Sequence, residues 1–286
     1  MDQMYDKVSF EISRLITREY STSFSSAVGL LPGDLRKAIF SIYGFVRLAD
    51  EIVDTFHDFD KPVLLEKFEK DYDEAVASGI SLNPVLHAFQ LTVKKYRIGD
   101  DLIRAFLKSM KSDLVKQEYL TDGELKEYIY GSADVVGLMC LRVFTRGDDR
   151  QFEELVAPAM RLGSAFQKVN FLRDLKSDTH QLGRSYFPQY NAATFSETVK
   201  KELVADIETD FEAALEGIRK LPGDAGPAVM VAFTYYRALT RKISRTPASV
   251  LINQRIRVPD GLKFLLLLRA IASWKLGLTS LNPAKP

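Results

Sequence analysis

The sequence predicts an all-α chain, a helical bundle with apolar side chains left over to line a central cavity. Three observations lead there. Apolar residues recur at three- and four-residue spacing along almost all of the 286 residues, whereas strand-like alternation is scarce. Hydrophobic residues make up 46% of the chain, ample for a core of that size. Two D-x-x-x-D pairs, Asp50/Asp54 and Asp174/Asp178, lie inside the periodic segments. Residues i and i+4 share a helix face, so each pair presents two oxygen ligands in one direction.

The elements follow in order. Residues 35–54 read as a helix after the turn Leu31-Pro32-Gly33-Asp34, with Asp34 as N-cap and Ile39, Ile42, Tyr43, Val46 and Ala49 as its apolar stripe. Pro62 suits the first turn of the next helix, which stops near Gly79. Further helices fit 83–96, 101–112 and 122–145. Residues 153–178 form the long partner of the first acidic helix, and Pro158 lies near enough to its start to be tolerated. The stretch 182–196 is irregular, and helices resume over 197–220, 227–246 and from 260 onward. The connection LPGDAGP (221–227) has a length that suits a helix–helix link better than a domain boundary, so residues 1–286 are read as one domain.

Composition narrows the function. Lys plus Arg (39) balance Asp plus Glu (38), so global charge gives no attraction for nucleic acid, and an anionic ligand must be held locally. The one cysteine, Cys140, sits in an apolar run and reads as a buried, inert thiol in a reducing compartment. The start shows no signal peptide, and a cytoplasmic location is expected. Lys263, Arg269 and Lys275 interrupt the apolar stretch 262–281, which reads as a terminal core helix, with a membrane-surface helix as the alternative and a transmembrane anchor excluded.

The acids are spaced for hard-cation chemistry. Asp50 and Asp54 are separated by about 6 Å of helix rise, which lets both reach one or two Mg²⁺ ions while water or phosphate oxygens complete the shell. His57, His87 and His180 are scattered and offer no softer site. A lone D-x-x-x-D is common on surface helices. Here, however, Ile42, Val46, Ala49 and Val53 turn the first helix inward. On the second, Gln167, Asn170, Asp174 and Asp178 fall at spacings of three, four and four, a polar stripe that is costly to bury without partners. Arg47 and Arg173 stand beside the pairs, ready for phosphate oxygens or for the acids themselves.

These residues bring out a resemblance. The chain is similar along nearly its whole length to the squalene/phytoene synthase family, the head-to-head trans-prenyl transferases. The matching segments are YSTSFSSAVGLLP (20–32), RKAIFSIYGFVRLADEIVD (36–54), YIYGSADVVG (128–137), LGSAFQKVNFLRDLKSD (162–178) and GRSYFP (183–188). The resemblance implies a helical bundle of the isoprenoid synthase type. It implies Mg²⁺, or alternatively Mn²⁺, on Asp50, Asp54, Asp174 and Asp178, with Asn170 as an additional oxygen ligand. Tyr20, Ser21, Thr22 and Ser23 would meet the diphosphate, although helix capping equally explains the serines. Tyr43, Arg47, Gln167, Arg173 and Tyr236 would contact substrate. Arg255 would add a phosphate contact or else be a solvated arginine. Phe24, Phe40 and Phe166 would line a prenyl tunnel or serve as plain core.

The implied reaction joins two prenyl diphosphates through a cyclopropylcarbinyl diphosphate, ending at phytoene or a dehydrosqualene by proton loss, or at squalene with hydride from NADPH. Two features depart from the pattern. DEIVD carries Glu51 where many relatives have a second aspartate, which keeps the charge. Asp134 falls where relatives commonly have glycine, and reads as a salt bridge within the bundle or as a group that positions diphosphate or handles the terminal proton. The small Val28, if at the tunnel, favours two C20 geranylgeranyl diphosphates, and no glycine-rich dinucleotide fingerprint is present. The expected activity is therefore phytoene synthesis without NADPH, with peripheral membrane contact for product release. The alternatives are a C30 synthase using farnesyl diphosphate, a non-catalytic helical assembly factor, and a terpene cyclase.

Overall fold

The computed structural model describes residues 3–116, 118–180, 186–187 and 194–276, with the backbone alone at 3, 177–180 and 260. Its helices, in chain order, are α1 (Gln3–Tyr20), α2 (Thr22–Val28), α3 (Gly33–Asp54), α4 (Lys61–Ser78), α5 (Pro84–Tyr96), α6 (Asp100–Val115) and α7 (Asp122–Ile129). A π-helical turn (Tyr130–Asp134) leads into α8 (Val135–Phe144), α9 (Asp149–His180), α10 (Glu197–Lys220), α11 (Gly226–Arg245), α12 (Ala248–Leu251) and α13 (Asp260–Lys275).

Local chemistry sets most of the boundaries. Asp60 caps α4 by accepting from the Val63 N–H, Pro62 lies in its first turn, and Gly79 ends it at φ 75°. Asn83 caps α5, and Thr121 with Glu124 forms a capping box on α7. Asp34 is not the N-cap that the sequence suggested. Helix α3 begins two residues earlier, at Gly33 after Pro32, and Asp34 instead pairs with Arg146 at 2.8 Å.

Helix α1 escapes the periodicity reading because its buried stripe is made of hydroxyls. Ser9, Ser13 and Thr17 are all fully buried, and the Ser13 and Thr17 hydroxyls donate to the carbonyls of Ser9 and Ser13. That back-bonding lets small polar residues pack tightly against α3 and α5.

The interior forms two apolar clusters joined by α9. In the first, built from α3 to α6 and α8, Phe45 stacks on Phe89 with centroids 3.9 Å apart and is flanked by Phe68, Tyr72 and Phe106. The second gathers α10, α11 and α13. Helix α9 contributes Phe152 and Leu155 to the first, and Ala165, Val169, Phe171 and Leu172 to the second. At 32 residues it runs about 48 Å.

Because α9 starts at Asp149, Pro158 lies ten residues in and not in the first turn. Its ring is accommodated by α10, where Gly217 approaches so closely that a Cβ there would collide with the Pro158 ring. The segment 122–145 is likewise not one α-helix. The π turn interrupts it and buries Asp134. Cys140 is half-buried, not fully buried as expected, and desolvation pushes its thiol up to about 12.

Candidate active site

The site is organised around Tyr43. Its ring stacks on Phe24 of α2, with centroids 5.0 Å apart at 24°. Burial pushes its phenol up to about 12, and the neighbours it senses are Arg47, Asp50, Tyr236 and Ser21. Those groups come from α3, α11 and the start of α2, so one side chain marks where three helices converge. With so high a pKa, Tyr43 stays a neutral hydrogen-bond donor under physiological conditions.

Ser21 is an N-cap, accepting from the Phe24 N–H at 3.3 Å, and that cap is what places it beside Tyr43. Ser23 is half-buried in the first turn of α2, while Thr22 and Tyr20 are exposed. The Tyr20 ring is nonetheless used, because the Arg47 guanidinium lies 4.3 Å from its centroid. Arg47 pairs with Glu51 and stands 4.0 Å from Asp50. Glu51 is therefore a buried brace for the arginine. The Arg47 Nε is buried with no acceptor among the described residues, a donor that a ligand oxygen would satisfy.

Across the site, α9 presents Gln167, Asn170 and Asp174, all half-buried, at the expected spacing. Tyr236 of α11 donates to the Asn170 Oδ1 at 3.2 Å, and its ring stacks on Phe166 at 3.9 Å. Arg173 bonds Asp174 through Nε at 3.0 Å and through Nη2. Burial works against the charge of Arg173, but the bond to Asp174 outweighs it and raises its pKa. Arg255 reaches the same carboxylate, Nε to Oδ1 at 2.7 Å. Its sequence setting allowed either a site residue or a solvated one, and the structure brings it to the second acidic motif.

Of the three phenylalanines, Phe24 and Phe166 back the two tyrosines, whereas Phe40 is buried in the first cluster as core. Asp54 closes α3, half-buried, one turn after Asp50. The side chain of Asp178 lies outside the described residues, as do Gly183, Arg184, Ser185 and Pro188 of the downstream motif. Tyr186 of that motif stacks on Phe171 of α9 at 4.1 Å.

The donor set suits Mg²⁺ in its chemistry, since Asp50, Asp54, Asn170 and Asp174 offer only oxygen. Among the described residues no three carboxylate, His or Cys side chains gather into a ready-made cage. Mg²⁺ characteristically binds through one or two carboxylates plus substrate phosphates. The unfilled Arg47 donor and the arginines on Asp174 fit such a shared shell, in which diphosphate supplies the remaining oxygens.

Among the described residues Asp134 forms no ion pair. It is 7% exposed, its Oδ1 has no hydrogen-bond partner, and α9 passes so close that a Cβ on Gly163 would lie 3.0 Å from that oxygen. The nearby cations are engaged elsewhere, by the fully buried Asp210. Arg161 (2.8 Å), Ser164 (3.1 Å) and Lys168 (2.7 Å) all donate to it. Burial, reinforced by the charge of Asp210, pushes Asp134 up to about 7.

That shift carries a stability consequence. A carboxyl raised from 3.8 to about 7 contributes fully below pH 3.8, and its contribution is lost as pH rises through about 7. Asp134→Asn removes the ionisation, so the variant should be more stable than the parent at pH 8, by about 4 kcal/mol at roughly 1.4 kcal/mol per pH decade of the shift. The two should converge near pH 4. Urea unfolding at both pH values measures this, and a variant no more stable at pH 8 contradicts the burial of an ionisable acid. Unchanged kinetics in the same variant would remove any role for Asp134 in diphosphate or proton handling.

Helical architecture with two arginine-braced acidic helices meeting at paired tyrosines defines the isoprenoid synthase class. A solved dehydrosqualene synthase with bound ligand superposes at a TM-score of 0.81 over 96% of this chain and 99% of its own, at 24% identity, which speaks for the fold. The squalene/phytoene synthase family model matches residues 17–261, so the chain belongs to that family and is a prenyltransferase acting on prenyl diphosphates. It is similar to the phytoene synthase of Arthrospira platensis, 29% identical over 91% of each chain. It is also similar to the 4,4'-diapophytoene synthase of Staphylococcus haemolyticus, 26% identical over 71% of this chain and 70% of that one.

Proposed function

We propose that the chain acts as one domain to condense two geranylgeranyl diphosphates head to head (1–1′) into phytoene, as a carotenoid-forming enzyme. The observation that carries the chemistry is the convergence of acids and arginines at Tyr43 and Tyr236, with Arg47 by Asp50 and both Arg173 and Arg255 on Asp174. Diphosphate oxygens compete for those guanidiniums, and the buried Arg47 Nε supplies a further donor. When bound by Asp50, Asp54, Asn170 and Asp174, with Asp178 added, Mg²⁺ supplies charge neutralisation for the leaving diphosphate.

The rings of Phe24, Tyr43, Phe166 and Tyr236 offer their π faces to the allylic cation and keep water from it. The double bond of the second chain attacks that cation, and loss of a proton from the resulting tertiary cation closes the ring, giving the cyclopropylcarbinyl diphosphate with the first diphosphate released. A second ionisation and rearrangement, closed by proton loss, yield the hydrocarbon. No hydride is needed, so NADPH is not required.

The C20 choice rests on the phytoene synthases among the relatives that align over most of this chain, whereas Val28 is packed in the first apolar cluster and carries no weight in it. The C30 reading draws on the diapophytoene synthase relative. Purified protein incubated with Mg²⁺ and each diphosphate, with and without NADPH, followed by chromatography and mass spectrometry, separates them. Phytoene from geranylgeranyl diphosphate without reductant is expected. Preferential consumption of farnesyl diphosphate overturns the chain-length assignment.

A further inference from the structure

Helix α13 is apolar on two sides. Its inner side packs Leu266, Leu267, Ala270, Ile271 and Trp274 into the second cluster, with Trp274 against the backbone of Gly226. Its outer side carries Leu262, Phe264, Leu265 and Leu268 at 45–61% exposure, followed by Ala272 and Leu276, also exposed. Positions 261, 265, 268, 272 and 276 recur at spacings of four, three, four and four, so the outer apolar residues form a second stripe. A two-faced apolar helix at the surface of a folded chain calls for a second partner.

Charge indicates what that partner is. Arg241 of α11 is held below the ordinary arginine range, by burial first and then by the crowding of Arg237, Arg269 and Arg245. Glu208 is the acid nearby, and Arg237 pairs with it at 2.9 Å. Arg241, Arg245 and Arg269 have no carboxylate within ion-pair distance among the described residues, and Lys275 extends the basic border along α13. An uncompensated arginine cluster beside an exposed apolar stripe matches a surface that is itself anionic above an apolar layer. A second copy of the chain fits poorly, because a two-fold contact through α13 would bring two such clusters together. No described helix is long and apolar enough to cross a membrane.

We propose that the outer face of α13, with Arg241, Arg245 and Arg269, is a docking surface for anionic phospholipid bilayers. The helix lies in the headgroup layer, with Phe264, Leu265 and Leu268 below the phosphates and the arginines among them. Its use for delivering a hydrocarbon product rests on the proposed reaction. The docking itself does not, and it is measured without any prenyl substrate.

The test is flotation of the full chain with vesicles of phosphatidylcholine alone or of phosphatidylcholine with phosphatidylglycerol. Binding should require the anionic lipid, fall with added salt, and weaken at least about ten-fold in Leu265→Glu/Leu268→Glu and in Arg245→Glu/Arg269→Glu. Circular dichroism and melting temperature establish that both variants fold. Prenyltransferase activity in detergent should match the parent, since these residues lie outside the site. Equal binding to neutral vesicles, or full binding by either folded variant, overturns the proposal. So does release by inorganic phosphate at constant ionic strength, which would make the arginines a small-anion site. Light scattering that shows a dimer abolished by Leu268→Glu would assign the stripe to self-association instead.

Discussion

Asp174→Asn lowers turnover by about 10³-fold or more while the bundle stays folded. The carboxylate of Asp174 is where Arg173 and Arg255 meet, and it lies one turn along α9 from Asn170, to which Tyr236 of α11 donates. Asparagine keeps the shape and one acceptor oxygen but loses the charge that would bind Mg²⁺. It also leaves two guanidiniums facing a neutral group, so diphosphate binds without the counter-charge that makes its departure favourable. The effect should therefore fall on kcat more than on KM. Steady-state kinetics at the Mg²⁺ concentration that suffices for the parent, beside a thermal melt, measures it. Activity within ten-fold of the parent would place the metal-binding role elsewhere. Raising the Mg²⁺ concentration should recover part of any loss if the acid acts through the ion.

The second large effect is on stability. Asp210→Ala should destabilise the protein by about 3 kcal/mol or more, a fall in melting temperature of roughly 6–10 °C for a chain of this size. Asp210 is fully buried on α10 and receives Arg161, Ser164 and Lys168 from α9. Removing it strands the half-buried Lys168 with Asp206 as its remaining acid. It also removes the charge that helps to keep Asp134 protonated, so Asp134 should titrate lower in this variant. Asp134→Asn and Asp210→Ala should consequently be non-additive, and a double-mutant cycle by urea unfolding at pH 8 measures that coupling. Strict additivity would mean that the two carboxylates do not sense each other.

Much of the site was legible because its chemistry is local in sequence. Acids four apart on a helix share a face whatever the helix packs against, so Asp50/Asp54 and the stripe through Gln167, Asn170 and Asp174 could be read without tertiary information. Arginine beside each motif was equally plain. The first-turn Pro62 and the stop at Gly79 of α4 were legible for the same reason, being decided within a few residues.

What stayed hidden depended on partners distant in the chain. Whether Arg255 was a site residue turned on its reach to Asp174, 81 positions away. Phe24, Phe40 and Phe166 were equivalent as sequence, and packing alone separated the two that back Tyr43 and Tyr236 from the one that fills the core. Helix α1 was passed over because hydroxyls, not aliphatic groups, occupy its buried face. The ion pair expected of Asp134 was wrong because Arg161 and Lys168 had a better-placed acid in Asp210, on a helix the local pattern could not bring near.

The sequence by itself determined the class of fold, the order of the helices and the family, because periodicity and motif spacing are properties of the chain. Only the tertiary structure decided how the motifs are used: Glu51 as a brace for Arg47, Asp174 shared by two arginines, Asp134 buried with its carboxyl pushed up, and an outer stripe on α13 beside arginines without an ion pair among the described residues. Each of these depends on which charges are desolvated together, and desolvation is settled only when the helices pack.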